Sequence, residues 1–233
     1  MPCGTGHGNG CCTGDAGDRA TAVNGRGRLS VVRGDLPADL VRAYSRSPLV
    51  AWDIETSGLD WRQSRIGTCQ LFAEGVGAAI VSVEAGAAPK RLIALLEDAA
   101  VAKAFHHAPF DLRFMVHEWR ARPASVRCTK VASKLLDPGA PNEMHSLQRL
   151  VSRYVGVELD KGPVRTSDWT TLALTPKQID YAAADVVHLP ALLRALQART
   201  ARAGLTWLYD RCCEFLPARA ELEVGEYRDV FAY

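Results

Sequence analysis

Three short stretches of this 233-residue chain carry side chains able to act together, and what they share is carboxylate. In Leu49-Val-Ala-Trp-Asp53-Ile-Glu55, strand geometry turns successive side chains to opposite faces. Asp53 and Glu55 therefore share one face, and Val50, Trp52 and Ile54 share the other. Two carboxylates on one face are either a functional pair or a strand with a solvated side, and the alternation alone does not choose. Thr175-Pro176-Lys177-Gln178 has the pattern of a helix start, with a capping box and Pro at the first helical position. That start places Tyr181 and Asp185 at i and i+4 on one helical face. The residues between them are Ala182, Ala183 and Ala184, small enough for another element to approach closely. Ala108-Pro109-Phe110-Asp111 opens a further helix, with Asp111 in a first turn where the helix dipole favours an acid in any case.

The elements that must hold these residues follow from periodicity. Strands are expected at Leu29–Val32, Leu49–Ile54, Thr68–Phe72, Ala78–Val83 and Val101–Phe105, the third and fourth separated by a turn at Glu74-Gly75. Helices are expected at Pro37–Arg46, Pro89 to about Asp98, Pro109–Trp119, Thr129–Leu136, Met144–Val155 and from Pro176 onward, with Pro190 kinking or ending the last. Strands interleaved with helices describe an α/β sheet with helical crossovers. Residues 1–28 are rich in Gly with almost no large apolar side chain, so a flexible tail is expected there. Cys3, His7, Cys11 and Cys12 match no zinc-ligand spacing.

The composition, 48% apolar and 23% charged, is that of a globular protein and excludes disorder as its main character. The longest uncharged apolar run, Gly75–Val83, is far shorter than a membrane helix requires. Seven cysteines, an odd number with no C-x-x-C pair, read as reduced thiols, so a cytoplasmic location and no membrane partner are expected. Net charge is only +2, but residues 35–204 hold 21 bases against 18 acids.

Taken in order, Asp53-x-Glu55 at a strand end, His106-x-x-x-Phe110-Asp111 at a helix start and Tyr181-x-x-x-Asp185 in a late helix resemble the three motifs of the DEDDy 3′-to-5′ exonucleases. The connecting sequence is most similar to ribonuclease D, over about residues 30–215. Asp53-Ile-Glu-Thr-Ser-Gly-Leu59, Leu135-Leu-Asp-Pro138 and Ser167-Asp-Trp169 add to the likeness. The sibling class that uses His places it five residues before the last Asp, where this chain has Asp180, so the Tyr class fits.

The resemblance implies a ribonuclease H-like fold, a mixed, mostly parallel sheet flanked by helices, with the acidic site at the end of a central strand. It implies an exonuclease domain at 29–215 and a C-terminal extension at 216–233. Asp53, Glu55, Asp111 and Asp185 would be the metal ligands, and Tyr181 would orient the attacking water. Gathered acids repel unless cations neutralise them. Two divalent cations, Mg²⁺ or Mn²⁺, about 4 Å apart would do so, and would clamp both the attacking and leaving oxygens of a phosphodiester displacement. Thr56, Leu59 and His107 fall at substrate-contacting positions, Leu59 as a wedge against the terminal base. His107 departs from the family's more frequent Asn, and Cys128 stands where related sequences often carry an acid. Removing four ligand charges from the count for 35–204 leaves that segment clearly basic, as a phosphate-backbone partner requires. Arg113, Arg120, Arg122, Arg127, Lys130 and Lys134, and separately Lys161 and Arg165, are candidate strand-contacting cations, and Trp169 a candidate base-stacking ring. The function implied is removal of nucleotides from RNA 3′ ends. The alternatives are a DNA exonuclease or an inactive nucleic-acid-binding module of the same fold. Oligomeric state is not legible. The extension at 216–233 is too short for the helical domains that ribonuclease D usually carries.

Overall fold

The structure, a computed structural model, describes residues 20–24, 27–160 and 162–232. Its strands are β1 (Ala20–Asn24), β2 (Gly27–Arg33), β3 (Leu49–Thr56), β4 (Ile66–Ala73), β5 (Gly77–Ser82), β6 (Ala102–Phe105) and β7 (Val126–Cys128). Its helices are α1 (Ala38–Tyr44), α2 (Lys90–Glu97), α3 (Ala108–Trp119), α4 (Thr129–Leu136), α5 (Leu147–Val155), α6 (Pro176–Val187), α7 (Leu189–Arg202) and α8 (Thr206–Val224). The strands form one mixed sheet in the order β1-β2-β5-β4-β3-β6-β7. Pairing is parallel at β2–β5, β3–β6 and β6–β7, and antiparallel at β1–β2, β5–β4 and β4–β3.

Strand β3 lies inside the sheet, and its alternation sorts two different environments. Trp52 and Ile54 enter the larger core with Cys69, Leu71, Val81, Leu92 and Leu95. The other face of the sheet carries Asp53 and Glu55, and along the neighbouring strands it continues as Phe72, Ala78, Ile80 and Leu29, which pack against Tyr181, Ala182 and Ala183 of α6. The small alanines let α6 lie close to the sheet, and that closeness brings its Asp185 to β3. At the helix start, the Gln178 N–H donates to Thr175 Oγ1 at 3.3 Å and the Thr175 N–H donates to Gln178 Oε1 at 2.9 Å. Pro190 has the expected effect, since the chain breaks at His188 between α6 and α7.

Three elements differ from expectation. Order begins earlier than residue 29: β1 lies within the expected 1–28 tail and pairs antiparallel with β2, whereas residues 1–19, with Cys3, His7, Cys11 and Cys12, lie outside the described residues. Strand β7 is only three residues long, too short to display a period. Helix α8 runs across the expected boundary at 215, burying Tyr209, Cys213, Leu216 and Ala220 and packing on α3 and β7. Its outward side keeps Trp207, Leu208 and Phe215 exposed, so apolar and polar residues never segregate into the stripe that betrays a helix.

Candidate active site

The site is built at the end of β3, where the strand pairing with β4 shifts register between Glu55 and Thr56. Asp53, Glu55 and Asp185 each bring a carboxylate oxygen to within 4.8 Å of the others. Oxygen donors of this type and number fit a hard divalent cation. Three anions so close, with Asp185 only 6% exposed, are otherwise mutually repulsive.

Asp111 is the fourth acid of the motif, and it stands outside that close set. From the first turn of α3 its Oδ1 accepts the backbone N–H of Ile54, at 3.3 Å, which joins α3 to the strand between the two β3 acids. It is 2% exposed, and burial first, then the charge of Asp53, pushes its carboxyl well above the usual carboxylate range. A cation would reverse that preference by favouring the ionised form.

Tyr181 lies one turn before Asp185, 8% exposed, with its ring tilted against Trp169 at a centroid separation of 5.7 Å. Trp169 is itself buried, so it supports Tyr181 and is not available to stack a base. The segment carrying it is tied down at several points. Gln178 Nε2 donates to Ser167 Oγ at 3.1 Å and to the Asp168 carbonyl at 2.8 Å, and an Arg65 N–H donates to the Thr170 carbonyl at 3.1 Å. Gly67 permits this closeness, because a Cβ there would stand 2.1 Å from the Trp169 carbonyl oxygen.

A cleft of about 450 Å³ opens over these groups, lined by Asp53, Glu55, Asp111 and Tyr181 and by the three residues expected to contact substrate, Thr56, Leu59 and His107. Thr56 donates its hydroxyl to the Gly58 carbonyl at 2.6 Å, shaping the turn that carries Leu59. Leu59 is 84% exposed, as a side chain that meets a ligand and not the core would be. His107 caps α3 in the left-handed region, φ 68° and ψ 44°. Asn adopts that conformation more readily than His, which gives a backbone reason for the family's Asn at this position. The His107 side chain is open to solvent, yet partial burial, and then the positive charges of Lys130, Arg113, Lys134 and Arg219, bring its imidazole down to about 4.

Sequence reading missed His106, Phe110, Thr166 and Ser167 as cleft-lining residues. His106 stands in a motif already singled out. Its Nδ1 stands 2.9 Å from the Thr129 hydroxyl, which in turn lies 3.2 Å from the Phe105 carbonyl. Thr166 and Ser167 come from a turn that only the anchoring by Gln178 places at the cleft. Lys161 and the side chain of Arg165 lie outside the described residues.

A family model described as 3′-5′ exonuclease matches residues 31–201. Among curated proteins, ribonuclease D of Gluconacetobacter diazotrophicus is 31% identical over 72% of this chain and 42% of its own length. Ribonuclease D of Escherichia coli is 29% identical over 84% of this chain and 52% of its own. The chain thus spans about half the length of the curated relatives it matches. Among solved structures, Brucella melitensis NrnC superposes with a TM-score of 0.80 at 32% identity, covering 88% of this chain and 98% of that one. The E. coli ribonuclease D structure gives a TM-score of 0.69 at 25% identity, covering 81% and 50%. The architecture is accordingly the expected ribonuclease H-like α/β fold. Matched by that family model over most of its length and by ribonuclease D relatives, the chain belongs to the 3′-5′ exonuclease family, as a ribonuclease D-like member.

Proposed function

We propose that this protein is a metal-dependent exonuclease that removes nucleotides from RNA 3′ ends, with its nuclease unit extending past residue 215 to the end of α8. The observation that carries the reading is the set of three carboxylates within 4.8 Å, two of which, Asp53 and Glu55, line a cleft together with Asp111 and Tyr181. Asp53, Glu55 and Asp185, with Asp111 beside them, would hold two divalent cations, Mg²⁺ or Mn²⁺. Cations bound there supply a more acidic water and charge stabilisation for the departing 3′ oxygen.

The protein's own groups do the rest. The Tyr181 phenol, held against Trp169, orients the attacking water and receives or relays its proton. Leu59 packs against the terminal base and limits the cleft to an end and not the middle of a strand. Thr56 holds the turn that places Leu59, and neutral His107 offers a hydrogen bond to the terminal sugar. Support for RNA comes from the E. coli ribonuclease D structure, described as an exoribonuclease involved in structured RNA processing, and support for a short substrate from a Brucella melitensis NrnC structure bound to pGG, 33% identical and covered over 98% of its length. A second NrnC structure is bound to Mg²⁺ at 32% identity. No helix among the described residues is long and apolar enough to cross a membrane, and the cytoplasm is the proposed site of action.

The test is incubation of 5′-labelled and 3′-labelled RNA and DNA, from dinucleotide to 20-mer, with Mg²⁺, Mn²⁺ or EDTA, alongside Asp185→Asn. The expected outcome is stepwise loss of 3′ nucleotides from RNA, abolished by EDTA and by Asp185→Asn in a protein that stays folded. Equal or faster trimming of DNA would reassign the substrate, and full activity in EDTA would overturn the cation reading.

A further inference from the structure

The Asp53 carboxylate is gripped from the neighbouring strand. In the β3–β4 register Gln70 stands opposite Asp53 and Thr68 opposite Glu55, so all four side chains share the sheet face that α6 covers. Gln70 Nε2 donates to Asp53 Oδ2 at 3.4 Å, and the Thr68 hydroxyl donates to Gln70 Oε1 at 3.3 Å. An ionised carboxylate only accepts, so the amide must turn its NH₂ toward Asp53 and its oxygen toward Thr68. The line of donors therefore has a single direction, and it ends on the acid.

Neither Thr68 nor Gln70 has any solvent exposure. Farther along the same face the positions are apolar, Phe72 on β4 and Ala78 and Ile80 on β5. A buried amide and hydroxyl in that setting cost stability relative to apolar residues of similar size, and hydrogen bonds only partly offset the cost. Beside the carboxylates this face carries the polar side chains of Thr68 and Gln70, and Ser82, opposite Thr68 on β5, extends the same stripe. Packing gives no reason for this placement, whereas holding an acid in one rotamer does.

We propose that Gln70, oriented by Thr68, is a positioning residue for Asp53: it retains Oδ2 and so aims the carboxylate at the cation it shares with Glu55 and Asp185. The proposal rests on the cation reading above. Its test is calorimetric titration of Mn²⁺ into metal-free wild type, Gln70→Leu and Thr68→Val, with thermal unfolding of each in EDTA. Gln70→Leu is expected to bind Mn²⁺ roughly 10-fold or more weakly, the usual size for loss of a group that orients a ligand. Its melting temperature in EDTA should equal or exceed that of wild type, because leucine suits the surroundings. Thr68→Val should weaken Mn²⁺ by a smaller factor in the same direction. Unchanged Mn²⁺ affinity in folded Gln70→Leu overturns the proposal, as does unchanged affinity in Thr68→Val if the leucine variant fails to fold. Wild-type protein that binds no Mn²⁺ would overturn the cation reading as well, which separates the two failures.

Discussion

At the scale of single residues, the chemistry is divided among groups whose surroundings differ sharply. Tyr181 supplies a phenol, and phenols are weak bases at neutral pH. Most activation of water must therefore come from bound cations, and the hydroxyl adds alignment and a proton path. Tyr181→Phe should lower kcat by roughly 10²-fold while leaving Mn²⁺ and substrate affinity far less affected. Single-turnover cleavage together with binding in Ca²⁺ would measure both; a defect confined to binding would return Tyr181 to a packing role against Trp169. His107 carries the pH signature. Its folded value of about 4 lies below the reference value near 6.5, so between those limits the unfolded chain binds the proton and the folded protein does not. Stability is thereby lost as pH falls from about 6.5 to 4 and is unaffected by this group above that window. His107→Asn removes the titration and suits the left-handed backbone, so its advantage in melting temperature over wild type should widen as pH drops through the window. An NMR titration placing the His107 imidazole near 6.5 would refute the assignment.

At the scale of elements, the site depends on how closely the segment carrying Trp169 meets β4. That approach is possible because position 67 has no side chain: an added methyl would meet the Trp169 carbonyl at 2.1 Å, against a backbone that Gln178 and Arg65 hold in place. Gly67→Ala should destabilise by about 1–3 kcal/mol, the usual range for overpacking. It should also reduce activity beyond what the stability loss accounts for, because Trp169 supports Tyr181. Chemical denaturation paired with a rate measured well below the transition would show the separation, and a neutral substitution would mean that the contact yields easily. The strands and helices that carry the acids were legible in the sequence because each has a clear period or a capping box. Strand β7 and helix α8 were not, one for lack of length and the other because its apolar residues face both the core and solvent.

For the molecule as a whole, α8 closes the core behind the site. It covers α3, the helix that carries Asp111, through the buried side chains of Tyr209, Cys213, Leu216 and Ala220. Half-buried Arg113 of α3 adds an ion pair with Glu223 of α8 at 3.3 Å. Ending the chain after Ala203 would expose these contacts at a cost of roughly 5 kcal/mol or more, counting full burial of the larger side chains. For a protein of this size that corresponds to a drop of about 10–20 °C in melting temperature. Ending it after Val224 removes only exposed contacts, such as the Arg62–Glu226 pair, and should change stability by less than about 0.5 kcal/mol. Differential scanning calorimetry of the two truncations distinguishes a structural α8 from a dispensable extension.

The sequence by itself determined which residues carry the acids and which elements bear them. Alternation in Leu49–Glu55, the capping box at Thr175–Gln178 and the helix start at Ala108–Asp111 are local patterns, and local patterns follow from backbone geometry. Only the tertiary structure decided the distances. It brought Asp185 to Asp53 and Glu55, set Asp111 apart on the Ile54 N–H, buried Trp169 behind Tyr181, and placed Gln70 across from Asp53. Those outcomes depend on strand register and on how near α6 comes to the sheet. The register is settled between β3 and β4 as a pair and the approach of α6 by packing against strands roughly 100 residues or more earlier in the chain, and no single stretch records either on its own.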